Sequence, residues 1–575
     1  MHFTALFFAF CLSCATPSIR PQSAGETSAR TVDVRDLCVR YAADRDTLSR
    51  FHDLPATAAR STAFEGLHAE TERALAALDF DALNVEARVD AVCLRMRVAS
   101  DRRKLAFEVS RVHECASLLP FGDAVVALHA ALRAQSASDP EKAAGVLDRL
   151  KHDVDAARTA AEKRSEPIAQ VVARRAAKRV EALRDTEAAW FRFRADYDPT
   201  FTWWTKKPHE EVAKAFDEYA RVLREKLGGD DKATRDAGTI FGDPIGREAL
   251  LADLEFALIP YSPEELIQIA DREMQWCTER MLEASRALGT GDEWKLALER
   301  VKSDHVAPGE QPALVRALAQ EAIAFLKERD LVTVPSIVEN GWRMSMLSAD
   351  EQRVSPFFLG GEEVQVAFPT DSMSYDEKRM SMRGNNKHFA HATVFHELVP
   401  GHGLQQYYES RWNTHRALFS TPFWTEGWAL YWEMLLWDLD FHSTQEDRIG
   451  ALFWRMHRCA RIRFSLSFHL GLMTPAQCVD YLVDTVGHER KNAEAEVRRS
   501  FEGGYGPLYQ CAYMIGGLQI RALHRDLVAS GKMSNRVFHD TILEGNNIPI
   551  EMVRARLLGQ KIAREFKATW RFYSL

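Results

Sequence analysis

His396-Glu397-Leu398-Val399-Pro400-Gly401-His402, followed by Glu426-Gly427-Trp428-Ala429-Leu430-Tyr431, decides how the rest of this chain is read. Two histidines, a carboxylate beside the first and a second carboxylate downstream make up a zinc hydrolase site. A Glu directly after a ligating His points about 100° further round a helix, towards the metal's open position. From there it can take a proton from a water whose pKa zinc lowers to roughly 7.

The spacing differs from H-E-x-x-H, where the histidines sit one turn apart on one face. Here the second His comes six residues after the first, about 240° round a regular helix and on the wrong side. Pro400 has no N–H, and its ring clashes with the carbonyl of His396 four residues back. Gly401 permits backbone angles other residues avoid. The helix is therefore expected to unwind or bulge at Pro400-Gly401 and return the His402 ring towards His396. The plain alternative is a helix that stops there, with His402 an ordinary loop residue.

These two motifs, with a late segment carrying Pro507, Tyr513 and Gly516, resemble the bacterial "domain of unknown function 885" family from about Phe241 to the C-terminus. Members of that family look like divergent relatives of the gluzincin metallopeptidases, whose helical members include carboxypeptidase Taq and thimet oligopeptidase. The resemblance implies one Zn2+ per chain, held by His396, His402 and Glu426, with Glu397 as general base. It also implies a helical gluzincin-like catalytic core. Two departures stand out. Many members read P-G-H-H-L-Q, whereas Gly403 occupies the place of the second of those histidines here. Members often carry Gln two residues after the late Pro, where this chain has Tyr509.

Several residues near the motifs are candidates for supporting roles. Glu433 lies two turns after Glu426 on the same face, so it is either a rival ligand or a hydrogen-bond partner of a ligating His. The segment Arg455 to His469 holds Arg458, Arg461 and Arg463. A cationic cluster there would suit a substrate carboxylate, and the plain reading is an amphipathic helix whose arginines pair with surface acids. Arg461 and His469 match positions that recur in the resembled family. The loop Gly503-Gly504-Tyr505-Gly506-Pro507 leads into a helix with Tyr509 and Tyr513 on one face. Helical gluzincins use a Tyr hydroxyl on the oxyanion, and Tyr513 matches that position. Glu397, Tyr513 and His469 are thus the catalytic candidates, and Arg461, Tyr509 and Asn385 the substrate-binding ones.

Length and composition frame these motifs. A chain of 575 residues, 46% hydrophobic and 27% charged, is long enough for a large core or several lobes. The net charge of −8 is spread without a basic block, which argues against nucleic acid as a partner. Residues 5–12 form a short apolar run before Ser13-Cys14-Ala15, resembling a secretory leader too short to span a bilayer. The expectation is an exported protein, periplasmic or anchored to a membrane through a lipidated Cys14. Against lipidation, Cys11 stands where Leu is preferred and no Lys or Arg precedes the run. An apolar N-terminus that is never translocated is the alternative. Seven further cysteines are scattered, with no C-x2-C pair, and read as small buried apolar residues.

Along the chain, residues 1–30 read as leader and linker, 31–228 as a helical scaffold and 229–575 as the catalytic region. The scaffold repeats apolar residues at spacings of three and four, and Pro167 must kink or break the stretch from Ala143 to Arg184. Tyr261-Ser262-Pro263-Glu264-Glu265 opens a helix: Ser at the cap, Pro first, acids in the first turn. Thr333–Ile337 and Glu363–Phe368 are the strand candidates, and the second would lie beside the zinc helix, where peptide substrates add as strands. The fold class expected is mostly α, with a small β-sheet beside the active-site cleft. The function expected is a zinc metallopeptidase acting on short peptides. A zinc hydrolase of another amide, such as a cell-wall fragment or amino-acid conjugate, and a non-catalytic exported binding protein are the alternatives. Cleavage position and oligomeric state are left open.

Overall fold

The computed structural model describes residues 33–352 and 360–575, so the leader and Cys14 lie outside the described residues. The fold is mostly α, with one two-stranded sheet. The N-terminal third comprises α1 (Val34–Phe51), α2 (Ala58–Ala76), α3 (Val85–Glu114), α4 (Gly122–Arg133), α5 (Pro140–Glu162), α6 (Gln170–Arg192) and α7 (Pro199–Val222). Their starts follow local chemistry. Asp139 caps α5 by accepting from the Lys142 N–H, and Pro140, lacking an N–H, takes the first position. The stretch containing Pro167 breaks outright: α5 ends at Glu162 and α6 begins at Gln170.

Burial divides this third differently from a boundary at 228. Leu147, Leu150 and Val154 of α5, Val180 and Leu183 of α6 and Phe216 of α7 close one apolar core. Cys38 and Tyr41 of α1 and Val92 and Leu94 of α3 belong instead to the core shared with the C-terminal helices. Arg416, fully buried, ties the two regions by pairing with Asp90 and Glu86 of α3, each at 2.7 Å. The 30-residue α3 is about 45 Å long; Val89 to Val98 pack in the shared core, and the helix also touches α6 of the other lobe.

The C-terminal region carries α8 (Pro263–Ala287), α9 (Lys387–Glu397), α10 (His402–Glu409), α11 (Pro422–Asp438), α12 (Gln445–His469), α13 (Arg490–Glu502) and α14 (Tyr509–His524). At α8 the expected cap is complete: Ser262 Oγ accepts from the Glu265 N–H, and Glu265 returns the bond to the Ser262 N–H. From Arg455 to Arg461 every residue of α12 is buried, as befits a helix enclosed by α8, α9 and α14. Helices α11 and α14 cross with their backbones touching. A Cβ on Gly427 would lie 2.6 Å from Gly516 Cα, and one on Gly516 would fall onto the Phe423 carbonyl.

The sheet pairs β1 (Arg343–Met346) with β2 (Glu363–Val366) in parallel, Arg343 opposite Glu363. The second expected strand is thus present, with Val364 and Val366 buried. The first is corrected. Pro335 caps a short helix, Ser336–Gly341, because it has no N–H for a ladder and its fixed φ leads into helical backbone; the pairing strand comes ten residues later than Thr333. All seven cysteines among the described residues are buried and unpaired, as expected.

Candidate metal centre

The two histidines meet because the chain breaks between them. Asn386 starts α9 by accepting from the His388 and Phe389 N–H groups. The helix ends at Glu397, and Leu398 leaves helical backbone at φ −108°, ψ −95°. The Gly401 N–H then donates back to the Phe395 carbonyl at 3.0 Å, and the Gln405 N–H to Gly401 begins α10. A side chain at 401 would fall onto the His396 carbonyl, so only glycine fits this corner. Trp428 Nε1 of α11 donates to the Pro400 carbonyl at 2.8 Å and fastens the corner. The unwinding expected at Pro400-Gly401 is therefore complete, and His402 opens a new helix. The His396 and His402 ring centroids end up 4.9 Å apart and nearly perpendicular. Position 403 is equally crowded: a Cβ there would lie 2.8 Å from the Leu398 carbonyl oxygen and 2.9 Å from that of Gly361.

Glu426 of α11 completes the cluster. Its Oε2 lies 3.3 Å from His402 Nε2 and 3.8 Å from His396 Nε2. One ligand atom from each of the three residues falls within 4.8 Å of the others. The remaining polar atoms face away. His396 Nδ1 is 2.7 Å from Glu433 Oε1, and His402 Nδ1 is 3.5 Å from Gln405 Oε1. The Tyr509 hydroxyl donates to Glu426 Oε1. This leaves Glu426 Oε2 buried without a hydrogen-bond partner. An orphaned buried carboxylate oxygen facing two imidazole nitrogens fits a divalent metal ion, and two His with one carboxylate suit zinc.

Electrostatics agree with the geometry. Burial alone would raise the Glu426 carboxyl, but the charges on His402 and His396 beside it hold it well below the usual range. Burial would lower His402, yet Glu426 beside it pushes it up to about 9. A metal ion entering such a site displaces those protons. Glu397 is raised above the ordinary carboxylate range, chiefly by burial. Gly360, just before β2, packs against Glu397 so closely that a Cβ would strike its side chain, and the Gly361 N–H donates to the Glu397 carbonyl at 3.1 Å.

These groups open onto a cavity of about 250 Å3. Glu397, Tyr513, Tyr509, Arg461 and Asn385 all line it together with His396, His402 and Glu426. His469 does not. It is buried at the end of α12, with its ring beside Phe468 and Phe501, and burial lowers its pKa to about 4. Eight residues separate it from Arg461, about 12 Å along the helix axis, which takes it past the cavity. The Tyr509 hydroxyl is engaged by Glu426. Arg461 pairs with Glu496 through Nε (2.7 Å) and Nη2 (3.0 Å). The Tyr513 ring lies between Arg458 at 4.7 Å and Arg461 at 4.6 Å and runs nearly parallel to the His396 ring. Glu433 partners His396 and Arg458, the second of its two expected roles. The sequence reading missed Trp454 and Arg499 in the cavity wall. Arg499 sits on α13, whose run of charges looks like a solvated face.

The family described as "Bacterial protein of unknown function (DUF885)" matches residues 41–557. The chain belongs to this family. The match begins some 200 residues before Phe241, so DUF885 includes the N-terminal helices as well as the motif-bearing core. No curated protein matches the chain. A solved structure of a candidate lipoprotein of unknown function from Shewanella oneidensis is similar, with TM-score 0.65 and 15% identity, covering 92% of this DUF885 chain and all of its own. A candidate lipoprotein from Colwellia psychrerythraea is similar at TM-score 0.56 and 15% identity, covering 92% of this chain and 98% of its own. At such identity the likeness is one of fold. Among the described residues no helix is long and apolar enough to cross a membrane.

Proposed function

We propose that this protein is a zinc-dependent peptidase of short peptides, exported and held in the periplasm or at a membrane. The observation that carries the reading is the meeting of His396, His402 and Glu426 at one point of a cavity that also contains Glu397. The leader-like residues 5–15 and the likeness to two candidate lipoproteins support export. Zinc held by His396, His402 and Glu426 would polarise an amide carbonyl and lower the pKa of water.

The chain's own groups supply the rest. Glu397, raised by burial, is the proton carrier: it takes a proton from the attacking water and returns it to the leaving amine. Tyr513 is kept as a protonated phenol by burial, which raises its pKa, and donates to the oxygen on which charge develops. Tyr509 and Glu433 hold Glu426 and His396 in orientation from behind. The arrangement of a buried base beside a metal cluster has no use in a binding module.

A mixed peptide library incubated with the zinc-loaded protein and with Glu397→Gln tests this directly. Mass spectrometry is expected to show cleavage by the wild type and a loss of at least about 1,000-fold in the variant, with zinc content equal in both by metal analysis. No cleavage by a protein holding one zinc would move the substrate to a non-peptide amide. Full activity in Glu397→Gln would remove Glu397 from the chemistry.

A further inference from the structure

Three guanidinium groups line the cavity, from Arg458, Arg461 and Arg499. Two have carboxylates of their own: Arg458 lies 3.4 Å from Glu433, and Arg461 makes two bonds to Glu496. Arg499 is different. Among the described residues its guanidinium forms no ion pair and no hydrogen bond, and its Nε is buried without a partner. The nearest carboxylate influence on it is Glu496, which is already bound to Arg461, and the Tyr505 ring lies 4.8 Å away. Arg461 Nη1 is likewise buried and unpartnered. Buried guanidinium donors left unmatched are costly to a fold. Three of them, counting Arg458 Nε, lie on residues lining one cavity and point to an anion that arrives from outside.

The place of Arg499 says which anion. The Tyr505 ring is 4.4 Å from the Tyr509 ring, and the Tyr509 hydroxyl holds Glu426. Two ring contacts and a hydrogen bond therefore link Arg499 to the Glu426 carboxylate. His396, His402, Glu426 and Arg499 line one cavity of about 250 Å3, which has room for a short end of a peptide rather than a long segment. A planar fork of N–H donors matches a carboxylate best. We infer that Arg499, together with Arg461 Nη1, binds the α-carboxylate of the substrate's last residue, which makes the protein a carboxypeptidase; this rests on the peptidase reading above. Hydrolysis then adds water across the final amide bond. The hydroxyl goes to the acyl carbon, the proton to the nitrogen, and the freed amino acid leaves with its carboxylate intact. An Asp or Glu side chain offers the same chemistry, so the two sources are separated by experiment.

Binding and turnover are measured with N-acetylated tripeptides ending in a free acid or an amide, each with Ala or Glu as last residue. Binding is read by calorimetry on zinc-loaded Glu397→Gln, where no turnover intervenes, with and without Arg499→Gln or Arg499→Lys. The free acids are expected to bind about 10- to 100-fold more tightly than the amides. Arg499→Gln is expected to erase that difference, and Arg499→Lys to restore part of it. Thermal melting confirms that the variants fold. Equal binding of acid and amide overturns the inference, whether or not peptides are cut. Amides ending in Glu that bind as well as the free acids assign Arg499 to an acidic side chain and also overturn it. An Arg499-dependent preference for free acids without any cleavage supports the carboxylate site while refuting the peptidase reading.

Discussion

The lobe built by α4–α7 and the helices around the cavity are made from similar lengths of helix, yet they treat charge in opposite ways. The lobe closes over Leu147, Leu150, Val154, Val180 and Phe216, and its buried carboxylate, Glu187, is matched by His209 at 3.0 Å. In the core that holds the cavity, the pairs Glu273–Arg455 and Glu496–Arg461 are buried and Glu433–Arg458 nearly so, in the same interior as His396, His402 and Glu426. Each ion taken out of water costs several kcal/mol before its partner offsets the loss. An interior serving stability alone has no reason to carry that cost. The apolar lobe supplies rigidity and the charged interior supplies placement.

If that division is right, damage to the two regions separates by readout. Leu147→Ala, in the lobe, is expected to lower stability by about 2–5 kcal/mol and leave metal affinity unchanged; calorimetric unfolding and a zinc titration check both halves. A fall in zinc affinity would break the comparison. Tyr513→Phe is expected to do the reverse, cutting kcat by about one to three orders of magnitude with zinc retained and melting temperature nearly constant. Glu433→Gln removes the charge behind His396 and is expected to weaken zinc binding about 10- to 100-fold, measured by competition with a chelator. The smallest effect concerns Glu551, buried in the charged region away from the cavity, 3.4 Å from Arg554. Burial raises its pKa to about 7. The folded state therefore holds a proton that the unfolded chain has released, and stability is lost as pH rises from about 4.5 through 7. Glu551→Gln is expected to gain about 1–3 kcal/mol over wild type at pH 8 and nothing at pH 4.5, by urea unfolding at both values.

What could be read from sequence was what is local. The corner at Pro400-Gly401 is dictated by a missing N–H and a missing Cβ, both visible in the letters. Glu433 was placed by counting two turns from Glu426. The capping box at Ser262 follows from residues three apart. The misses are non-local. Four-residue strands carry no usable period, so β1 was sought at Thr333 and lies at Arg343. Arg499 belongs to a helix whose charges resemble a solvated face, and only packing shows that Glu496 and Arg499 turn inward. His469 shares a helix with Arg461, but a helix advances about 1.5 Å per residue, and two turns carry it out of range. Tyr509 was placed in the right cavity, but its bond to Glu426 was not legible, because which tyrosine reaches Glu426 depends on how α14 lies on α11.

That last relation is set by the contact of Gly427 with Gly516. Glu426 is the neighbour of one glycine, and Tyr513 stands three residues before the other. Main-chain atoms have no rotamers, so the spacing of the two helices behaves like a machined stop rather than a spring. Loosening of side chains elsewhere cannot change its width. Anyone reshaping this cavity can rewrite the walls at Phe389, Trp454 or Arg499 and keep the same gauge, provided positions 427 and 516 carry nothing larger than hydrogen.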